Sequence, residues 1–200
     1  AHDAMSEAHS ALRTVAGSMN KIANDLRLLA SGPRNGLGEI EQPENQPGSS
    51  IMPGKINPVV AESVNQVHKQ VLGNDTAVSA GAARGEIDLN LYKPVLAYNF
   101  LQSASLIANS AEVFGERFVG KLEANADYCR KRVDQSMALA TALNPAIGYD
   151  AASKVAKKAL EEGKSVREVA VGEGYLSEAE ADEVLDPRAM TERVILGADE

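Results

Sequence analysis

Two long stretches of this chain keep a helical spacing while carrying almost no charge, and no other feature limits its fold as strongly. From Pro58 to Ala83 full charges occur only at Glu62, Lys69 and Asp75, and from Pro94 to Phe114 only at Glu112. Val60, Val64, Val67, Val71 and Val78 follow four-three spacing, with Asn74 on the same stripe. A later stripe runs through Leu96, Phe100, Ser103, Ile107, Ser110 and Phe114. This periodicity predicts helices from about Pro58 to Ala83 and from about Leu91 to Val119. Helices so long and so sparsely charged are buried on most faces. They do not read as membrane spans, because Asn99, Gln102, Ser103, Ser105, Asn109 and Ser110 would be costly in hydrocarbon. A chain of 200 residues cannot wrap several such helices by itself. Neighbouring copies are expected to complete the burial, which makes the chain part of a homo-oligomeric, all-α bundle of long helices.

The first residues add a third helix. Ala1, Met5, Ala8, Leu12, Val15, Met19, Ile22, Leu26 and Leu29 form a heptad-type seam, and Ser31-Gly32-Pro33 stops it. The seam reaches Ala1 with no capping residue ahead of it, so the chain is expected to be a piece of a longer protein. Near Gly120–Asn125 the pattern changes to short helices with charged faces. Asn144-Pro145 marks a break, Gly163 a stop, and Ser165 to Glu168 and Ser177 to Glu180 have the spacing of capping boxes. The expected division is a long-helix domain over residues 1–120 and a small C-terminal helical domain over 121–200.

Charge and cysteine usage narrow the function classes. A net charge of −8 argues against nucleic acid or an anionic membrane as partner, and the Lys154, Lys157, Lys158, Glu161, Glu162 run reads as a solvated face. Cys129 stands alone, so no internal disulfide can form; with no secretory signal pattern, a reducing, cytoplasmic setting is expected. His2, His9 and His68 read as ordinary helix residues. Without a Cys/His cluster or an HExxH spacing, neither a metal nor a cofactor is expected.

The segment from Ser31 to Pro58 is too long for a connector and too apolar at Ile51-Met52 for a linker. Within it, Pro47-Gly-Ser-Ser-Ile-Met-Pro-Gly-Lys-Ile-Asn-Pro58 gathers groups with chemical uses. Gly48 and Gly54 permit unusual backbone angles, and Ser49 and Ser50 place hydroxyls on a flexible arm. Ile51 and Met52 give that arm an apolar foot. Lys55 and Asn57 precede a helix whose free N–H groups attract anions, Asn57 as its cap and Pro58 as its first residue. The ensemble reads as a mobile lid bearing a nucleophile or base beside a carboxylate-binding corner. Singly, each residue has a plain alternative: a flexible Gly-Ser loop, a surface lysine, a cap, and a macrodipole partner at Glu62.

The string GSSIMPGKINP, Gly48 to Pro58, resembles the signature loop of the fumarase/aspartase superfamily. The similarity extends to KIANDLRLLASGPRNGLGE at Lys21–Glu39, PENQPGSS at Pro43–Ser50 and GND at Gly73–Asp75. It continues through YNFLQS at Tyr98–Ser103, TALNPAIGYD at Thr141–Asp150 and GYLSEAE at Gly174–Glu180, all similar to class II fumarases. The resemblance implies the end of a central helical domain followed by the C-terminal domain of a longer lyase. Its reaction would be reversible anti addition of water to fumarate, giving L-malate. By residue match Ser49 would be the catalytic base, and Glu62 would polarise a histidine on the acid side of the reaction. Ser50, Lys55, the Ile56 backbone and Asn57 would bind the substrate carboxylate. The implied assembly is a homotetramer whose sites combine segments of different subunits, so the isolated chain is expected to be inactive. Two other readings stay open. Val64-Asn65-Gln66-Val67, Leu185-Asp186-Pro187 and the unusual Pro58-Val59-Val60-Ala61-Glu62 leave room for an aspartate ammonia-lyase. A non-enzymatic helical oligomerisation scaffold with a flexible loop is the third.

Overall fold

In a computed structural model that describes residues 1–48 and 51–191, the chain is mostly helical and divides into two compact units, residues 1–125 and 126–200. The first unit holds three long helices: α1 (Asp3–Leu29), α2 (Val59–Ala82) and α3 (Lys93–Arg117). Each begins and ends within about two residues of the range that the periodicity indicates. Two short strands, β1 (Ile40–Glu41) and β2 (Glu123–Ala124), pair antiparallel, with Ile40 opposite Ala124.

The core of this unit is layered along α2. Ala23 packs with Val60, Ala61, Val64, Phe114 and Phe118 at one end, where the two Phe rings stack 5.5 Å apart. Ala16, Val71 and Ile107 form the middle layer. Val78, Ala82 and Leu96 close the other end, with Met5 against them. Small residues allow the close approach: a Cβ on Gly81 would lie 3.1 Å from the Leu96 side chain.

The seam of α1 differs from expectation. Its buried line is His9, Ala16 and Ala23, flanked by partly buried Met5, Leu12, Met19 and Leu26. Ala8, Val15 and Ile22 lie exposed one residue to the side. Close helix contact selects the alanines for the centre and moves the bulkier Val15 and Ile22 to its edge. His9, read from the sequence as an ordinary helix residue, has no exposed surface at all.

The second unit contains α4 (Ala126–Asp134), a 3-10 segment (Met137–Leu143), α5 (Asn144–Ile147), α6 (Tyr149–Glu162), α7 (Val166–Gly172) and α8 (Glu178–Val184). Leu139, Leu143, Ala152, Val155, Ala159, Val166, Val169, Leu176 and Leu185 share one core. Gly163, at φ 64°, ends α6 in the left-handed conformation, and Lys164 N–H closes the turn on the Ala159 carbonyl. Both capping boxes form: Ser165 with Glu168 starts α7 and Ser177 with Glu180 starts α8. Arg167 joins the two helices, reaching Asp182 at 2.7 Å and Glu178 at 2.6 Å.

The capping carboxylates couple these helix starts to pH. A backbone N–H of Ser165, then its hydroxyl, holds Glu168 below the ordinary glutamate range, and Ser177 does the same to Glu180. A carboxylate depressed in the folded state stabilises above its unfolded range and loses that contribution as pH falls through the folded one. Replacing both by Gln should therefore shrink the fall in Tm between about pH 6 and about pH 3. An equal fall in the double variant would contradict this coupling.

Candidate functional site

The segment between α1 and α2 is held at its start by Ser31. Its carbonyl accepts from Gly38 N–H at 2.7 Å, and its hydroxyl accepts from Leu37 N–H at 3.1 Å while donating to the Leu28 carbonyl at 2.6 Å. The strand pairing of Ile40 with Ala124 and a bond from Asn125 N–H to the Glu39 carbonyl anchor its middle. The chain then runs out to Gly48 and returns through Lys55, Ile56 and Asn57 into the start of α2.

The neck of the returning loop is tight. Asn57 Nδ2 donates to the Gly48 carbonyl at 3.0 Å. A Cβ at Gly48 would stand 1.3 Å from the Lys55 carbonyl oxygen, so only glycine lets the two backbone strands touch there. Gln42 Nε2 makes a longer bond, 3.4 Å, to the Ile56 carbonyl. Its Oε1 is enclosed with no hydrogen-bond partner among the described residues. The sequence did not single out Gln42, because one glutamine in a loop carries no spacing signal until the chain folds back on it.

Asn57 is not the cap that its position suggested. The helix begins at Val59 with Pro58 in the cap position, so Asn57 lies one residue outside it, and its Nδ2 donates to the Gly48 carbonyl. The Asn57 backbone carbonyl accepts from Val59 N–H at 2.9 Å, and no side-chain oxygen caps the first turn of α2. Lys55 and the Ile51 and Met52 side chains are exposed. Glu62 lies half-buried in the first turn of α2. Among the described residues no hydrogen bond or ion pair joins the side chains of Lys55, Asn57 and Glu62; Ser49 and Ser50 lie outside those residues. Further along α2, burial and then the Lys69 charge hold His68 below the usual imidazole range. No group of three or more His, Cys, Asp or Glu among the described residues is placed to hold a metal ion. No helix among them is long and apolar enough to cross a membrane.

Comparison with known proteins supplies what the loop alone leaves open. Residues 1–73 match the family model described as Lyase, and residues 139–192 the one described as Fumarase C C-terminus. A class II fumarate hydratase of Halobacterium salinarum is 76% identical over all 200 residues, which make up 43% of that relative. Another, from Oceanobacillus iheyensis, is 50% identical over 95% of this chain and 41% of its own length. The chain belongs to the fumarase/aspartase superfamily. Within it the agreement is with class II fumarate hydratases, and the crystal structure of a class II fumarase from Schistosoma mansoni superposes with a TM-score of 0.87 at 38% identity, over 94% of this chain and 40% of that one. A fumarate lyase from Brucella melitensis, crystallised with cobalt, reaches a TM-score of 0.90 at 48% identity, covering 95% and 41%. The chain thus spans about two fifths of the length of the class II fumarases it matches.

Lys55, Ile56 and Asn57 form one continuous run into α2, with Glu62 following on its first turn. The loop neck gives a direct test. Gly48→Ala should force Gly48 and Lys55 apart and break the Asn57 bond. Hydrogen–deuterium exchange across residues 51–57 should rise while exchange within α2 stays unchanged; unaltered exchange in the loop would show that the neck is not closed as described.

Proposed function

We propose that this chain forms part of the active site of a fumarate hydratase that interconverts fumarate and L-malate. The observation that carries the reading is the whole-chain match to class II fumarate hydratases, at 76% identity, together with an intact Gly48-to-Pro58 loop. On this reading, residues 1–125 are the end of the central helical domain, and the following unit is the C-terminal domain.

The chemistry follows from the acidity problem. Dehydration of malate begins by removing a proton from the carbon beside a carboxylate, which leaves a dianionic aci-carboxylate. Ser49 takes that proton as base, and needs cations or N–H donors nearby to hold its oxygen as an alkoxide. Lys55, Asn57 and the Ile56 backbone bind the carboxylate on which negative charge grows, with Ser50 beside them. Each well-placed donor of this kind is worth roughly 10²–10³ in rate. Collapse of the aci-carboxylate forms the double bond and expels the hydroxyl from the neighbouring carbon, which leaves as water after protonation from the acid side. Glu62 supports that side by polarising a histidine outside this chain.

The partners are a four-carbon dicarboxylate and further copies of the protein, most simply in a homotetramer. Val15 and Ile22 on α1, Leu72 on α2, and Val95, Leu101 and Val113 on α3 are large exposed apolar residues that such copies and the rest of the enzyme would cover. The isolated chain is inactive on this reading, and the lone Cys129 fits a cytoplasmic setting.

The test uses the full-length enzyme and follows fumarate consumption, first with water and then with ammonia. Turnover with water identifies the hydratase, turnover only with ammonia identifies the ammonia-lyase, and neither leaves the scaffold reading. Ser49→Ala should lower kcat by about 10²–10⁴, the range for loss of a general base; a near-normal kcat would remove Ser49 from that role. Lys55→Met should weaken dicarboxylate inhibition and lower the rate together, and unchanged inhibition would exclude Lys55 from carboxylate binding.

A further inference from the structure

Between the apolar layers, the seam of the three long helices holds one connected and almost fully buried polar group, apart from the part-buried Asn65–Asn24 bond between α1 and α2. His9 Nδ1 lies 2.8 Å from Asp75 Oδ1, and His9 Nε2 lies 2.9 Å from Ser103 Oγ. Arg13 Nη1 donates to the other Asp75 oxygen at 3.0 Å. Asn74 Nδ2 donates to Ser103 Oγ and to Gln102 Oε1, both at 2.9 Å, and Gln70 Nε2 donates to Asn74 Oδ1 at 2.9 Å. His9 and Ser103 are 0% exposed, Asn74 2% and Asp75 8%. Helices α1, α2 and α3 each contribute, and the only full charges in the group are Asp75 and Arg13.

The order Asp75, His9, Ser103 is that of a hydrolytic triad. Such a triad needs its nucleophile open to a carbonyl, and Ser103 has no exposed surface on which a substrate could rest. A packing role fits better, and donor matching defines its state. Asp75 as carboxylate can only accept, so His9 Nδ1 carries a proton and donates to it. Ser103 Oγ accepts from Asn74 and still has one lone pair and its own proton, so it can pair with His9 Nε2 as donor or as acceptor. The fixed point is the Nδ1–H that His9 gives to Asp75.

We propose that Asp75, His9 and Ser103 form a register lock that selects one alignment of α1, α2 and α3 from several that the apolar seam would accept. The valine stripe of α2 repeats closely enough for a heptad slip to bring valine against alanine again. One heptad away on α2 from Asn74-Asp75 stand Val67-His68 and Gly81-Ala82, none of which offers His9 a carboxylate. The slip that sets His9 against His68 in this antiparallel pair also brings His2 towards Asp75, but it puts Ser6 in place of Arg13 and leaves the second carboxylate oxygen without its cation. Buried polar groups that cost stability yet fix alignment are the best-attested use of such residues in helical seams.

Two measurements on the full chain test this. This chain has three histidines, so nitrogen NMR with labelled histidine separates them readily. His9 should show a slowly exchanging Nδ1–H; an Nδ1 without a proton would overturn the donor order. Register is read by disulfide trapping in a Cys129→Ser background, pairing Ala16→Cys with Val71→Cys for the observed alignment and with Val64→Cys or Val78→Cys for heptad slips. With the lock intact only the first pair should close. Replacing the lock by His9→Leu, Asp75→Leu and Ser103→Ala should raise closure of a slipped pair about tenfold or more, equivalent to losing about 1.4 kcal/mol of register preference. Closure confined to the observed pair would overturn the proposal. So would a triple variant that fails to fold, because the group would then supply stability and not alignment.

Discussion

The close antiparallel contact of α1 with α2 decides the rest of the first unit. It rests on small residues, Ala16 and Ala23 on α1 and Ala61 on α2, which let backbones approach while Val60, Val64 and Val71 fill the remaining space. Because the two helices run in opposite directions, the end of α1 and the start of α2 lie at the same end of the unit. The long connection between them must leave and return there. Ser31 fixes its departure and the Ile40–Ala124 pairing fixes its middle against the chain that follows α3. Lys55, Ile56 and Asn57 are then delivered into the first turn of α2 by helix packing, and not by any preference of their own.

Much of this was legible because helical periodicity survives in the sequence. The three long helices, the stop at Ser31-Gly32-Pro33 and both capping boxes follow from spacing and local chemistry. Of the expected α1 seam, Met5, Leu12, Met19 and Leu26 are partly buried, but its other line is His9, Ala16 and Ala23 in place of Ala8, Val15 and Ile22. A seven-residue repeat with apolar residues on two neighbouring lines does not say which line is central. That depends on how near the partner helix comes, which is a tertiary fact. His9 was passed over for the same reason: a histidine on a helix shows its burial only when a carboxylate from α2 and a hydroxyl from α3 converge on it.

The candidate site shows a different limit. The kinds of residue in the loop suggested anion binding, but Asn57 was assigned the local duty of a helix cap. It instead spans the loop neck to Gly48, nine residues earlier, a contact no nearest-neighbour rule contains. Gly48 is legible as a glycine and not as a requirement; the requirement comes from the Lys55 carbonyl pressed against it. Gln42 leaves no trace in the sequence at all. The same few residues thus do structural work that competes with the chemistry assigned to them. An amide that holds the neck has one remaining N–H to offer a carboxylate.

That competition bears on what surrounds the loop. An exposed ammonium such as Lys55 attracts a carboxylate about 4 Å away by only about 1 kcal/mol in bulk water, against about 4 kcal/mol at an effective dielectric near 20. On this chain Lys55 is open to solvent, and so are Ile51 and Met52. On the proposed reading, stabilising a dianionic intermediate at Lys55 demands further walls around it, of the kind that exclude water and leave fixed dipoles in its place. The exposed apolar residues along α1, α2 and α3 point the same way, since helices with so little charge are stable only when covered. Burial of the helices and desolvation of the site are one requirement. Whatever excludes water around Lys55 sets how strongly its ammonium attracts a carboxylate.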